Sequence, residues 1–376
     1  MSTSVLVAPP SPQVELSISQ TRSIVKDLFE PKAAIYWTDF LCSIGIGAAG
    51  FAAIENFRTE NRLVHWICQG LGLSWSAQQA TAGQWAIAGV LFVVHCLAFY
   101  RAALFTHELV HLREGAVRGF RVAWNLLCGI PFLMPSFLYH THVHHHVRRQ
   151  YGTRDDGEYL PLATGPRWKI LAYLAQSFVI PAVAVLRFGL LTPLSWVSPS
   201  FRRFAHRRLS SMVIDPAYVR PEPTGEQLRV WRLQEAACLI YLLTLGVLLL
   251  TQVLPWTWII HAYATGVAVI LLNAIRTLGA HRYEHTGEEM SFVDQLLDSY
   301  TFPTNPLFNE LWAPVGLRYH ALHHFFPSMP YHALGKAHRR LMRRLPADSP
   351  YRKTVAPGLW AVLRRLWRSA QTQGHS

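Results

Sequence analysis

The stretch Ala236–Ile275 reads AACLIYLLTLGVLLLTQVLPWTWIIHAYATGVAVILLNAI and contains no Asp, Glu, Lys or Arg. At a rise of about 1.5 Å per residue, roughly 20 apolar residues cross the hydrocarbon layer of a bilayer. Pro255 lies near the middle of the stretch, where a helix would end. The stretch therefore predicts two antiparallel membrane spans, 236–254 and 256–275.

Two further apolar runs, 33–54 and 85–105, have similar lengths and carry one charged side chain each, Asp39 and Arg101. Core helices of soluble proteins rarely reach such lengths without a polar stripe. The sequence therefore predicts an all-α integral membrane protein with four transmembrane helices in two hairpins.

The rest of the chain divides around these spans. Two apolar stretches, 122–138 and 170–191, are interrupted by Gly or Pro and predict interfacial helices rather than spans. We expect an N-terminal segment 1–32, a membrane domain 33–341 and a basic tail 342–376.

Lys and Arg are distributed unevenly between the two sides of this topology. Of 35 such residues, 32 lie in 1–32, 107–232 and the region from 276 onward, whereas two lie in the loop 55–83. The positive-inside rule therefore predicts that both termini and the long middle loop are cytoplasmic, in a bacterial inner membrane or the endoplasmic reticulum. This orientation and anionic lipid headgroups account for the net charge of +13, so no nucleic-acid partner is expected.

Nineteen histidines are the strongest chemical signal in the chain. Three clusters have ligand spacing, His107-Glu-Leu-Val-His111, His142-Val-His-His145-His146 and His320-Ala-Leu-His323-His324, and His281 lies between the last two. Every cluster lies near a predicted cytoplasmic helix end, so we expect a cytoplasmic helical cap that carries them. Nine imidazoles exceed the four ligands of a zinc ion and suggest two metal ions. The predicted metal ligands are His107, His111, His142, His145, His146, His281, His320, His323 and His324.

This order of boxes, HxxxH, HxxHH and a distant HxxHH, resembles the membrane fatty acid desaturases and related hydroxylases. The similarity runs from about Ala33 to Leu341. It is most specific in the segment from Tyr319 to His332, YHALHHFFPSMPYH. His281 resembles the additional ligand that this family places after the fourth span.

The resemblance implies a non-haem di-iron centre, O₂ as co-substrate and a fatty acyl substrate held as a thioester or lipid. Iron suits such chemistry because zinc has no redox states, and imidazole is a good ligand for iron. The expected activity is desaturation of a long acyl chain, with no catalytic residue beyond the metal ligands. Hydroxylation of an acyl or other lipid substrate is the alternative. No haem or iron–sulfur motif is visible, so we expect electrons from a separate ferredoxin-like or cytochrome b5-like donor.

Several assignments stay open at this point. The middle cluster permits a second register, with His140, His144 and His145 in place of the chosen three, and His285 could replace His281. Nearby carboxylates could orient the imidazoles, and the candidates are Glu108, Asp155 and Asp156. We expect His95 to be a packing residue inside the second span and His261 to be an interfacial residue.

Two rival functions share parts of the pattern. The segment His107–His111 also matches HExxH, the zinc-protease motif in which Glu108 would be the base. A histidine-rich metal carrier is the second rival, but such a carrier should place acidic or basic residues within its spans, and 236–254 has none. The protease would also leave seven of the clustered histidines unexplained.

Overall fold

The computed structural model of the protein describes residues 17–57, 69–72 and 82–371. Parts of the predicted N-terminal segment and basic tail, and most of the loop between the first two spans, lie outside the described residues. The described residues are mostly helical and contain isolated β-bridges but no strand. The α-helices, numbered here in chain order, are α1 Ile18–Val25, α2 Ala33–Phe57, α3 Ala82–His111, α4 Phe120–Trp124, α5 His142–His145, α6 Arg167–Ala175, α7 Ile180–Leu186, α8 Thr192–Val197, α9 Pro199–Arg208, α10 Gly225–Leu250, α11 Thr257–Leu278, α12 Phe292–Asp298, α13 Pro306–Trp312, α14 His320–Phe325, α15 Tyr331–Arg344 and α16 Leu359–Ser369.

The four longest helices, α2, α3, α10 and α11, correspond to the four predicted spans, although α10 ends at Leu250, before the predicted end at 254, and α11 begins at Thr257. Helix α3 continues beyond the apolar run as far as His111, so the first histidine cluster lies on the last turns of a membrane helix. Helix α10 begins eleven residues before the predicted span, at Gly225, because Thr224 and Gln227 form a capping box there.

A fifth segment, Ile180–Val197, is also long and apolar enough to cross a membrane. It falls largely within a stretch for which an interfacial position was predicted. The segment is not one regular helix, since the π-helical turn Arg187–Leu191 separates α7 from α8. Arg187 is buried in this turn and forms an ion pair with Glu235 of α10.

Helices α2 and α3 pack closely because glycine lines their contact. A Cβ atom at Gly50 would lie 2.7 Å from Cβ of His95, so only glycine fits this approach. Toward the histidine end, the two helices share a buried aromatic core that includes Tyr36, Phe40 and Phe105. This core supports the last turn of α3, which positions the first cluster.

The C-terminal helices form a compact cap on the same end. Tyr36 donates a hydrogen bond to Glu108 Oε2 over 2.5 Å, and the Tyr331 backbone N–H donates to the same oxygen over 3.2 Å. Glu108 therefore joins α2, α3 and α15. Asp27 and Arg340 form an ion pair that holds the N-terminal residues against α15. These contacts fix the cap relative to the ends of the long helices.

Candidate metal centre

The structure brings all nine predicted histidine ligands into two neighbouring groups. In each group, one ring nitrogen from every histidine lies within 4.8 Å of the others. The five-histidine group contains His107, His111, His142, His146 and His323. The four-histidine group contains His145, His281, His320 and His324.

The HxxHH spacing explains how two short helices serve both groups. Residues i and i+4 lie one turn apart on a helix, and residue i+3 is displaced around the axis. In α14, His320 and His324 enter the four-histidine group and His323 enters the other. In the α5 segment, His142 and His146 enter the five-histidine group, and His145 enters the four-histidine group. Each HxxHH box therefore bridges the two groups.

Hydrogen bonds fix which ring nitrogen faces the interior of the groups. His145 donates from Nδ1 to Asp156 Oδ2 at 2.7 Å. His281 Nδ1 lies 2.8 Å from the hydroxyl of Tyr151, which itself donates to Asp298 Oδ2 at 2.7 Å. The Tyr151 oxygen therefore accepts from His281. Both imidazoles carry their proton on Nδ1, so both Nε2 atoms have a free lone pair.

These free nitrogens point at one another. Nε2 of His145 and Nε2 of His281 are 3.2 Å apart, and the same atoms of His320 and His281 are 2.9 Å apart. In the five-histidine group, Nε2 of His146 lies 3.0 Å from Nε2 of His142 and 3.1 Å from Nε2 of His323. Lone pairs that converge in this way repel each other unless a cation lies between them.

Buried ring nitrogens without hydrogen-bond partners also indicate a metal cation. Both ring nitrogens of His107 and Nε2 of His111 are buried without a hydrogen-bond partner among the described residues. An unsatisfied buried polar atom costs about 1–3 kcal/mol, and a coordinated metal ion would satisfy these nitrogens. The donor set is entirely imidazole, which suits iron. The residues present therefore fit a pair of iron ions.

The electrostatic setting favours neutral imidazoles, the form that binds metal. Burial lowers the pKa of His142, His146, His320 and His324 well below the usual histidine value, and neighbouring histidines lower it further. His145 differs. Burial lowers its pKa, but the charge and hydrogen bond of Asp156 outweigh that effect and leave the pKa raised. His145 is therefore the imidazole most ready to take up a proton in place of a metal ion.

The geometry separates the two registers of the middle cluster. His142, His145 and His146 enter the groups, whereas His140 is exposed and His144 is half-buried, and neither belongs to a group. His285 is also outside, with Nε2 against the Glu288 carbonyl oxygen.

Carboxylates around the groups were only partly anticipated. Asp156 orients His145 as expected, but Asp155 is exposed and Glu108 bonds to tyrosines instead of histidines. Glu158 was missed, although it follows the middle cluster closely, and its Oε1 accepts from His142 Nδ1 at 2.9 Å. Burial raises the pKa of Glu158 to about 7.

Asp298 was also missed, because it lies far along the chain in α12 and no spacing marks it. It accepts hydrogen bonds from Tyr151 and, at 3.1 Å, from the Tyr159 hydroxyl. A buried carboxylate with two tyrosine donors becomes visible only when the fold is known.

A cavity of about 550 Å³ reaches the five-histidine group from the end of the protein that carries the cap. Its wall includes His111, Glu108, Lys26 and Arg113, together with the turn Pro327–Pro330 that follows the last cluster. Of the five histidines in this group, His111 is the one that lines the cavity.

Comparisons with known proteins agree with this geometry. The model of the family described as fatty acid desaturase matches residues 83–355. The chain belongs to the fatty acid desaturase family. A curated relative from Caulobacter vibrioides, named ceramide hydroxylase, is 37% identical over 354 residues, which cover 93% of this chain and 92% of that protein.

Membership in the fatty acid desaturase family makes the protein an oxidoreductase of the desaturase and hydroxylase group. The family match spans all three histidine clusters, most of which an HExxH protease would leave unexplained. Within the family, the named relative favours hydroxylation, the alternative that the sequence left open, over desaturation.

Proposed function

We propose that the protein is a membrane-bound, O₂-dependent hydroxylase of a ceramide-like lipid that works through two histidine-held iron ions. The observation that carries the substrate and reaction is the 37% identity to a ceramide hydroxylase over almost the whole of both chains. The two histidine groups support the metal centre. The proposal replaces an expected acyl desaturation by the alternative that the sequence had kept.

In this proposal each histidine group holds one iron ion, through the nine imidazoles that the sequence predicted as ligands. Bound iron would supply the redox chemistry with O₂ that an unactivated C–H bond requires. The chain's own residues prepare the site. Asp156 accepts a hydrogen bond from Nδ1–H of His145, and Glu158 accepts one from Nδ1–H of His142. Each bond turns the Nε2 atom of its imidazole toward the interior of the histidine group. Tyr151 does the same for His281 with support from Asp298.

Four crossings of the membrane fit this centre, and five do not. His111 and His281 flank α10 and α11, and two crossings return the chain to its starting side. Ile180–Val197 lies between His145 and His281 in the chain, so a further crossing by this segment would put these two histidines on opposite sides of the membrane. Their Nε2 atoms are 3.2 Å apart, which excludes that arrangement. We therefore place Ile180–Val197 within one leaflet. The Lys and Arg distribution supports a cytoplasmic position for the centre.

Electrons would come from a separate donor that binds the cytoplasmic face. The cavity beside His111 is lined by the exposed side chains of Lys26 and Arg113, and also by Glu30. Positive side chains there would steer an acidic ferredoxin-like or cytochrome b5-like protein to the five-histidine group.

Desaturation remains a second candidate, because the matched family is described as fatty acid desaturase. Both reactions begin by removing hydrogen from a methylene group and differ in the outcome, since hydroxylation adds an oxygen atom and desaturation removes a second hydrogen. Which outcome occurs decides between the two candidates.

The test is expression in a host that lacks both activities, followed by mass spectrometry of its lipids under isotopically heavy O₂. We expect a ceramide that has gained one heavy oxygen atom, and purified protein with two irons per chain. A lipid that has lost two hydrogens and carries no heavy oxygen would establish desaturation. One zinc and no iron would contradict both.

A further inference from the structure

Arg276 is a buried cation beside the metal centre without a matching anion. It lies in the last turn of α11 and is 7% exposed. Its Nη2 donates to Asn273 Oδ1 over 3.0 Å, and its Nε is buried without a partner. No carboxylate of the described residues lies within ion-pair distance of it, whereas the buried Arg187 is paired with Glu235. Arg220 and Arg318 are also buried without an ion pair, but each donates to a backbone carbonyl oxygen, and Arg276 has no such acceptor among the described residues.

The guanidinium lies on the bilayer side of the histidine groups. Arg276 precedes His281 by five residues, and its neighbour Tyr100 precedes His107 by seven on α3, which is roughly 10 Å along a helix. The charge still acts electrostatically on His320. A group that binds Arg276 would therefore reach the site from the membrane and remain close to the metal centre.

The tyrosines around Arg276 do not replace an anion. Tyr100 donates its hydroxyl proton to the Trp312 carbonyl at 2.7 Å, and Tyr283 donates to the Thr277 carbonyl at 2.7 Å. Tyr139 donates to Glu158 at 3.2 Å. These hydroxyls are polar neighbours of Arg276, and the Tyr100 oxygen lies within hydrogen-bonding reach of it, but none of them supplies a negative charge.

Such an arrangement is costly unless it has a use. A charged side chain in a membrane helix usually faces a functional site, and an unpaired buried charge is strongly destabilising. A tunnel for the middle of an acyl chain needs apolar walls, because methylene groups offer no hydrogen bond. An arginine next to the centre suits a lipid whose oxygen atoms lie a few carbons from the carbon that reacts.

We propose that Arg276, with Asn273, binds a hydroxyl or amide oxygen of the lipid backbone and thereby selects sphingoid lipids and sets the position of oxidation. This inference rests on the proposed function for the reaction but concerns binding and specificity. Arginine supplies up to five N–H donors and no acceptor, so the ligand atom must be an oxygen that accepts. Arg276 is a specificity-determining residue that stays outside the metal ligands.

The first experiment measures binding without turnover. Full-length, metal-depleted protein in nanodiscs binds a fluorescent ceramide, and unlabelled N-acyl sphinganine competes with it. We expect Arg276→Met to weaken this competition roughly ten- to hundredfold, as for the loss of hydrogen bonds to a charged group. Arg276→Lys should recover part of it. Arg365→Met is the matched control, since this exposed arginine pairs with Glu284 on the surface and should change nothing.

A second measurement needs no variant, so it holds even if Arg276→Met does not fold. Wild-type protein should bind N-acyl sphinganine at least tenfold better than an analogue whose backbone hydroxyls are replaced by hydrogen. Equal competition by the two lipids would overturn the inference, as would a preference for free fatty acid that depends on Arg276, because the anchored group would then be a carboxylate.

Turnover then separates this inference from the proposed function. In iron-loaded protein with a donor, Arg276→Met should keep its iron content, raise KM for the ceramide and spread oxidation over neighbouring carbons. Wild-type KM and a single product position in this variant would contradict the inference. If wild type oxidises no lipid, the proposed function fails, and the binding results still decide the role of Arg276.

Discussion

Two sets of histidines in this protein differ in where their second ring nitrogen goes. In the transmembrane region, His95 uses both nitrogens in ordinary hydrogen bonds, Nδ1 to the Leu91 carbonyl at 3.1 Å and Nε2 to Thr265 Oγ1 at 3.0 Å. In the metal centre, His145 bonds through Nδ1 and turns Nε2 toward other imidazoles. Equally buried histidines therefore serve as packing residues or as ligands according to their partners.

His261 extends the comparison. The sequence suggested an interfacial residue, but the side chain is 8% exposed, bonds to Glu55 Oε1 at 2.8 Å and stacks on Phe51. His261 lies near the start of α11, so its interfacial position stays a prediction, and the sequence does not show that Glu55, at the end of α2, meets this helix.

The largest expected effect is the removal of one ligand from either group. His320→Ala takes a nitrogen from the four-histidine group, and His323→Ala takes one from the five-histidine group. We expect each variant to lose at least about a hundredfold in activity and most of its iron, because metal affinity depends on a complete ligand set. Iron analysis of purified protein and product formation check this. Full activity in either variant would refute the assignment.

Asp156→Asn tests the carboxylate that holds a ligand in place. Asparagine keeps the shape but loses the charge that raises the pKa of His145 and favours its Nδ1 proton. We expect iron affinity to fall roughly ten- to hundredfold, the usual cost of losing such support. A chelator competition measures it. Asp155→Asn is the matched control, since that exposed side chain makes no contact with a histidine, and equal losses in the two variants would contradict the role.

The sequence predicted the metal-ligating histidines better than it predicted the carboxylates and the tyrosine that orient them. Eight of the nine predicted ligands follow from box spacing, because HxxxH and HxxHH on a helix bring i, i+3 and i+4 to one side, and His281 follows from the family resemblance. The registers could not be separated, since His145 belongs to both and only the orientation of α5 distinguishes His142 and His146 from His140 and His144. Asp298 is 142 residues beyond Asp156 in the chain and reaches the centre through Tyr151, a contact that no local pattern encodes.

The fold, like the site, could be predicted only in part from the sequence. Apolar length locates α2, α3, α10 and α11, because the bilayer imposes that length on any span. The same criterion also accepts Ile180–Val197, for which we propose a position within one leaflet, since length and composition do not register the π-helical turn or the buried ion pair of Arg187 with Glu235. Whether an apolar segment crosses depends on where its neighbours begin and end, which is tertiary information.

His95→Ala should affect stability without affecting the metal. The variant loses two hydrogen bonds and leaves a cavity between α2, α3 and α11, so we expect a cost of about 2–4 kcal/mol and a lower unfolding temperature in detergent. Iron content should equal that of wild type, because His95 is twelve residues, or roughly 18 Å, from His107 along α3. Loss of iron in a variant that remains folded would show that the two sets of histidines are coupled.

The smallest effect is expected at His144, and it tests the register directly. His144 is half-buried and contributes to neither group, whereas the adjacent His145 is 2% exposed and belongs to the four-histidine group. His144→Ala should therefore keep its iron and its activity within about twofold, and His145→Ala should lose both. Because both residues lie in the same short helix, a general disturbance of α5 would affect the two variants alike. The alternative register shares His145, so iron lost in both variants but kept in His146→Ala would mean that this register binds the metal.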